Sequence, residues 1–124
     1  VNVVDSSGWL EYFADGPGAD FFAPVIERPQ RLVVPALTLY EVFKRIHQQR
    51  GPSPAFEAVA VMQQGRVVDL GAELAIAAAH LATERRLALA RGIIYTTARA
   101  AGATLWTQDA DFDGLPDVRL PTSR

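Results

Sequence analysis

The sequence predicts an α/β protein, a three-layer α/β/α sandwich around a short, mainly parallel central sheet. Two observations predict it. Short apolar runs alternate with longer segments whose apolar residues recur at helical spacing, the order expected when each strand is followed by a crossover helix. The runs, Val1 to Val4, Arg31 to Pro35, Arg66 to Leu70 and Ala103 to Trp106, are valine-rich or otherwise apolar, as strands covered on both faces tend to be.

The elements follow in order. Residues 1–4 read as a buried strand, and Ser7 as the cap of a helix carrying Trp9, Leu10, Tyr12 and Phe13, which stops at Asp15-Gly16-Pro17-Gly18. A second helix is expected from Ala19 to Glu27, with Phe21, Phe22, Val25 and Ile26 on its apolar side and Pro24 as a disruptive residue inside it. The second strand ends at Pro35. Ala36, Leu39, Tyr40, Phe43 and Ile46 then mark a helix that runs to Arg50-Gly51-Pro52. Ser53 reads as the cap of the next helix, with Pro54 in its first turn and Phe56, Val59, Ala60 and Met62 along it up to Gly65. After the third strand come an alanine-rich helix to Arg86 and another from Ala88 to Gly102. The fourth strand ends at Trp106, and Val118-Arg119-Leu120 is expected as a fifth, at an edge.

At 124 residues the chain suits a single domain spanning positions 1–124, with one core. An apolar content of 49% with 21% charged residues is ordinary globular composition and excludes a disordered chain. Apolar stretches break well before the length of a membrane span, and no basic-apolar-small segment opens the chain, so the expected location is cytoplasmic. Zero cysteines exclude disulfides and thiolate metal sites, which leaves oxygen ligands and the two histidines, His47 and His80. A formal net charge of −2 excludes a broadly basic coat, so any contact with nucleic acid must be local. The basic clusters Lys44-Arg45 and Arg85-Arg86, and Arg99, lie in helical patterns where a solvated face is the simplest reading.

Three acids occupy positions that matter chemically: Asp5 at the end of the first strand, Glu41 early in the third helix, and Asp109 just after the fourth strand. Ligand sites of open α/β sheets lie outside the carboxyl ends of the strands, where residues from distant parts of the chain meet. Each acid also has an ordinary reading. Asp5 would cap the following helix, Glu41 would pair with Arg45 one turn on, and Asp109 would serve the turn Thr107-Gln108-Asp109-Ala110-Asp111-Phe112-Asp113-Gly114. Brought together they would repel, by about 4 kcal/mol for two carboxylates 4 Å apart at an effective dielectric near 20, and a hard divalent cation removes that cost.

In their order and spacing, Val3-Val4-Asp5-Ser6-Ser7, Thr38-Leu39-Tyr40-Glu41-Val42 and Gly102-Ala103-Thr104-Leu105-Trp106-Thr107-Gln108-Asp109-Ala110-Asp111-Phe112 resemble the PIN-domain ribonucleases, most closely the VapC-type toxins of bacterial toxin–antitoxin pairs. The resemblance runs through nearly the whole chain. It implies a metal-dependent endoribonuclease in which four acids bind Mg²⁺ or Mn²⁺ and RNA phosphodiester bonds are cut by metal-activated water. Asp5 matches the first acid, Glu41 the second and Asp109 the last, with Asp111 as a neighbouring candidate metal ligand. Thr107 matches a hydroxyl beside the last acid, and Ser7 is a second hydroxyl near the first. It further implies a cognate antitoxin protein as partner, an RNA substrate and a homodimer.

The third acid of that pattern opens the penultimate helix in a Leu-Ala-Asp-Ala-Ile-Ile type sequence. Here the segment is Leu89-Ala90-Arg91-Gly92-Ile93-Ile94. Arg91 stands in a first helical turn, where the macrodipole disfavours a cation, and Gly92 beside it is a poor helix former. A guanidinium among these acids takes the place of the metal as counter-ion, leaving a formal −2 where the family site carries four negative charges. The expectation is a toxin-like endoribonuclease impaired by Arg91. A catalytically silent PIN scaffold that binds an antitoxin-like partner is the alternative. A phosphatase using Asp5 as nucleophile is disfavoured by Ser7, where such enzymes need a second acid, and no glycine-rich phosphate loop supports nucleotide binding.

Overall fold

The computed structural model describes residues 1–121. Five short strands, β1 (Asn2–Val4), β2 (Val33–Pro35), β3 (Arg66–Val68), β4 (Thr104–Trp106) and β5 (Val118–Arg119), pair only in parallel. β1, β4 and β5 form one ladder and β2 with β3 another, and a parallel bridge from Asn2 to Leu32 joins them, so β1 lies in the middle. The helices are α1 (Ser6–Phe13), α2 (Ala19–Ile26), α3 (Ala36–Arg50), α4 (Pro52–Met62), α5 (Ala72–Arg85) and α6 (Leu89–Ala100). No helix among the described residues is long and apolar enough to cross a membrane.

The three layers follow from the two-residue period of the strands. Val4 and Val34 point to one side, where Trp9, Phe22, Val42, Ile46 and Met62 of α1 to α4 bury them. Val3, Val33 and Leu105 point to the other, onto Ile94, Tyr95 and Ala98 of α6 and onto Phe112. The expected α/β/α sandwich is therefore the observed one, with its sheet parallel throughout.

Two expected caps are corrected. α1 begins at Ser6 and is capped by Asp5, whose side chain accepts from the Gly8 N–H, while Ser7 donates to that same carboxylate. α4 begins at Pro52 and not after Ser53. Gly51 precedes it at φ 90°, a conformation few other residues adopt, and the fixed φ of Pro52 suits a first helical position whose N–H would be unpaired in any case. α2 ends at Ile26 and contains Pro24, so it lacks one internal hydrogen bond. β2 and β3 are shorter than expected, because each is limited to the three residues that pair with the other.

Candidate functional site

The sheet places Asp5 at its centre. The Asp5 N–H continues the β1–β4 ladder by donating to the Trp106 carbonyl at 3.1 Å, after which the chain turns into α1. Only 5% exposed, the carboxylate is held from three directions. Oδ1 accepts from Ser7 Oγ at 2.9 Å and from the Gly8 N–H at 3.0 Å, and Oδ2 accepts from Thr107 Oγ1 at 2.7 Å. Burial raises its pKa above the ordinary carboxylate value. The hydrogen bonds from Thr107, Gly8 and Ser7 oppose that rise, and the nearby charge of Asp109 adds to it.

Thr107 connects two of the acids. Fully buried after β4, it donates to Asp5 and accepts from the Asp109 N–H at 2.9 Å. Asp109 then divides its own carboxylate between two donors. Oδ1 caps the 3-10 turn Ala110–Phe112 by accepting from the Asp111 N–H at 3.0 Å, and Oδ2 accepts from Arg91 Nε at 2.5 Å. Both the turn reading of Asp109 and its place beside Asp5 are realised at once.

Arg91 reaches this cluster from the first turn of α6, which Ala88 precedes without a side-chain cap. Its guanidinium forks across two carboxylates, Nε on Asp109 and Nη2 3.2 Å from Asp111 Oδ2. The hydrogen bond to Asp109 raises its pKa, burial opposes this, and the charges of Asp109, Asp111 and Asp5 add to the rise. Their attraction opposes the unfavourable end of the α6 dipole, an effect of order 0.3–1 kcal/mol at a partly exposed site.

Among the described residues Glu41 makes no hydrogen bond or ion pair with Asp5, Asp109 or Arg91 and is linked to their surroundings only through Ser6. Half-buried on α3, it accepts from Ser6 Oγ at 2.5 Å, tying α3 to the start of α1 next to Asp5. Among the described residues it makes no ion pair with Arg45, contrary to the ordinary reading of that spacing. Ser6 is the site residue that sequence reasoning passed over. Its only signal was its place in the opening motif, because the contact spans 35 residues of chain. The histidines stand elsewhere: His47 stacks on Phe43, and His80 lies beside Glu84 on α5.

Among the described residues, no group of three or more Asp, Glu or His is disposed to hold a metal ion. A Mg²⁺ or Mn²⁺ ion needs several free oxygens in near-octahedral array. Here both oxygens of Asp5 are engaged by hydroxyls and a backbone N–H, and both oxygens of Asp109 by a backbone N–H and a guanidinium. With Arg91 so seated, the donor set does not fit such an ion.

The sequence model of the family described as PIN domain matches residues 3–118. Among solved structures, a toxin–antitoxin complex from Klebsiella pneumoniae is similar at 19% identity and a TM-score of 0.83, covering 100% of both chains. VapC20 of Mycobacterium tuberculosis, a toxin that cleaves the sarcin-ricin loop, is similar at 20% identity and a TM-score of 0.79, covering 98% of this chain and 100% of its own. VapBC2 from Rickettsia felis, bound to a DNA fragment from its promoter, matches at 14% identity and a TM-score of 0.73, over 97% of this chain and 96% of its own. At these identities the likeness is one of fold. No curated protein sequence matches the chain.

Proposed function

The chain belongs to the PIN-domain family, and on that premise we propose that it is the toxin component of a toxin–antitoxin pair, an endoribonuclease by lineage whose Mg²⁺- or Mn²⁺-dependent cleavage is weakened or lost through Arg91. Residues 1–124 act as one PIN domain, with a cognate antitoxin as partner, RNA as substrate and a homodimer as the working form. A toxin–antitoxin complex and a VapBC assembly among the similar folds support the partner.

The observation that carries the reading is the fork of Arg91 across Asp109 and Asp111. A cation fixed there neutralises the charge that would attract a divalent ion and occupies the oxygens that would bind it. The remaining residues keep the arrangement of a site. Asp5 is held rigid by Thr107, Ser7 and Gly8, and Glu41 is turned towards α1 by Ser6.

Arg91→Asp tests this directly. With Mn²⁺ and a structured RNA, the variant is expected to cleave while the Arg91 chain stays near background; equal cleavage by both would refute the proposal. The same Arg91 fork favours one alternative, a silent scaffold whose work is to bind an antitoxin-like protein. A variant that binds such a partner yet regains no cleavage would select it.

A further inference from the structure

Beyond Glu41 the solvent face of α3 carries two rows of side chains at four-residue spacing, Tyr40, Lys44 and Gln48 beside Glu41, Arg45 and Gln49. Between this face and α1 lie two adjoining grooves of about 310 and 350 Å³ that share Leu10 and Arg45. One is edged by Glu41 and Ser6, the other by Ser7 and Gln108, so each reaches chain neighbours of Asp5 or Asp109.

The charges along these grooves are unevenly committed. Glu11 accepts from the Gly18 N–H at 2.7 Å and from Gln108 Nε2 at 3.3 Å, and Glu41 accepts from Ser6. Lys44, Arg45 and Arg50 are exposed and, among the described residues, have no ion-pair partner. Tyr40 is 61% exposed, with Lys44 Nζ 5.7 Å from its ring centroid. Unpaired cations beside an exposed aromatic ring are what a single nucleic-acid strand uses, phosphates on the first and a base on the second. An acidic peptide would match the cations and could also pack against the ring, which makes it the alternative that binding measurements must separate from a strand.

We propose that this α1–α3 face is a track for single-stranded RNA leading to the candidate site, with Lys44, Arg45 and Arg50 on phosphates and Tyr40 stacking a base. It rests on the ribonuclease reading above for the identity of the strand, but binding along it does not require cleavage. From Tyr40 to Arg50 the helix rises about 15 Å at 1.5 Å per residue, room for a few nucleotides. A local track of this kind is also how a chain of net charge −2 would hold RNA without a basic surface overall.

The test uses the Arg91 chain in the absence of divalent metal, with a fluorescein-labelled single-stranded 12-nucleotide RNA followed by anisotropy across a salt series. Lys44→Gln/Arg45→Gln/Arg50→Gln is expected to weaken binding and to make the slope of log affinity against log salt shallower by about 2, at roughly 0.7 per phosphate contact for single strands. Tyr40→Ala is expected to weaken binding at least about fivefold, and Tyr40→Phe to retain it. A control triple elsewhere, Arg28→Gln/Arg31→Gln/Arg85→Gln, should leave affinity and slope nearly unchanged. Absence of RNA binding by the parent chain, an equal loss in the control, or unchanged affinity and slope in the α3 triple would overturn the track; the last result would assign these cations to a protein ligand. The ribonuclease reading fails separately, if Arg91→Asp does not cleave while the α3 variants still bind RNA more weakly.

Discussion

Arg91 Nε lies 2.5 Å from Asp109 Oδ2, joining the first turn of α6 to the loop after β4 across 18 residues of chain. The contact gives one end of the sheet a built-in counter-ion. Replacing Arg91 by Asp would remove the cation and add a fourth acid, and carboxylates about 4 Å apart repel by roughly 4 kcal/mol at an effective dielectric near 20. In chelator, Arg91→Asp should therefore melt below the parent chain, and Mn²⁺ should raise its melting temperature while leaving the parent unmoved. Calorimetric titration should show Mn²⁺ binding to the variant alone. Tight binding by the Arg91 chain would contradict the charge argument.

Thr107 is the second point at which the site is held. Its hydroxyl donates to one acid in a bond shielded from water and accepts from the backbone of another in a bond that is partly buried. Thr107→Val preserves shape and removes both. Hydrogen bonds to charged groups contribute about 1.5–3 kcal/mol, so a loss near 2 kcal/mol is expected in urea denaturation. Thr107→Ser, which keeps the hydroxyl, should lose less. A loss in Thr107→Ser as large as that in Thr107→Val would show that the methyl group contributes as much at this position as the hydroxyl, and no loss in Thr107→Val would show that the hydroxyl contributes nothing.

Legibility in the sequence depended on how local each determinant is. The bounds of α3 could be read to the residue, because Pro35 precedes it and Gly51-Pro52 ends it. The start of α1 could not. Asp5, Ser6 and Ser7 are all competent caps, and the choice is made partly by Thr107, 102 residues away, which holds the other oxygen of Asp5. The positions of Asp5, Asp109 and Arg91 at strand and helix ends foretold their meeting, since a parallel sheet gathers those ends. The partner of Glu41 was hidden for the opposite reason. Four-residue spacing pointed to Arg45, but α1 packs against α3 and offers Ser6 first. Gly92 read as a weakness beside Arg91, whereas its neighbour across the helix interface gives it a packing reason of its own.

The buried charge of Asp5 sets a pH dependence opposite to that of most carboxylates. Its folded-state pKa is raised, chiefly by burial, above the ordinary 3.8, so the folded chain binds that proton more readily than the unfolded chain does. Its contribution to stability is then fully present below about pH 3.8 and is lost as pH rises through the folded-state value. Asp5→Asn, which retains an acceptor for Ser7 and Gly8, should be more stable than the parent at pH 7, with the gain shrinking as the pH is lowered towards 4. Denaturation curves at pH 7, 5 and 4 measure this. A gain that is constant across the series would show that ionisation of Asp5 is not its source.

Gly92 fixes how closely α6 approaches α5. A Cβ there would lie 2.8 Å from the Cβ of Ala82 and 3.5 Å from the Ala78 carbonyl oxygen, and neither is the end of a flexible side chain that could swing away. Alanine is the better helix former by about 1 kcal/mol, so an unconstrained helix would gain from Gly92→Ala. Overpacking typically costs 1–3 kcal/mol, and here it should win, giving a net loss of about 1 kcal/mol or more. Ala82→Gly removes the facing methyl, so combined with Gly92→Ala it should recover part of that loss, with a coupling above about 0.5 kcal/mol in a double-mutant cycle. Purely additive effects would mean that the helices separate without penalty. Because Arg91 is the adjacent residue, coupling here would also imply that the α5–α6 spacing helps to keep the guanidinium within reach of Asp109 and Asp111, and Gly92→Ala should then make the stability of the chain less sensitive to salt.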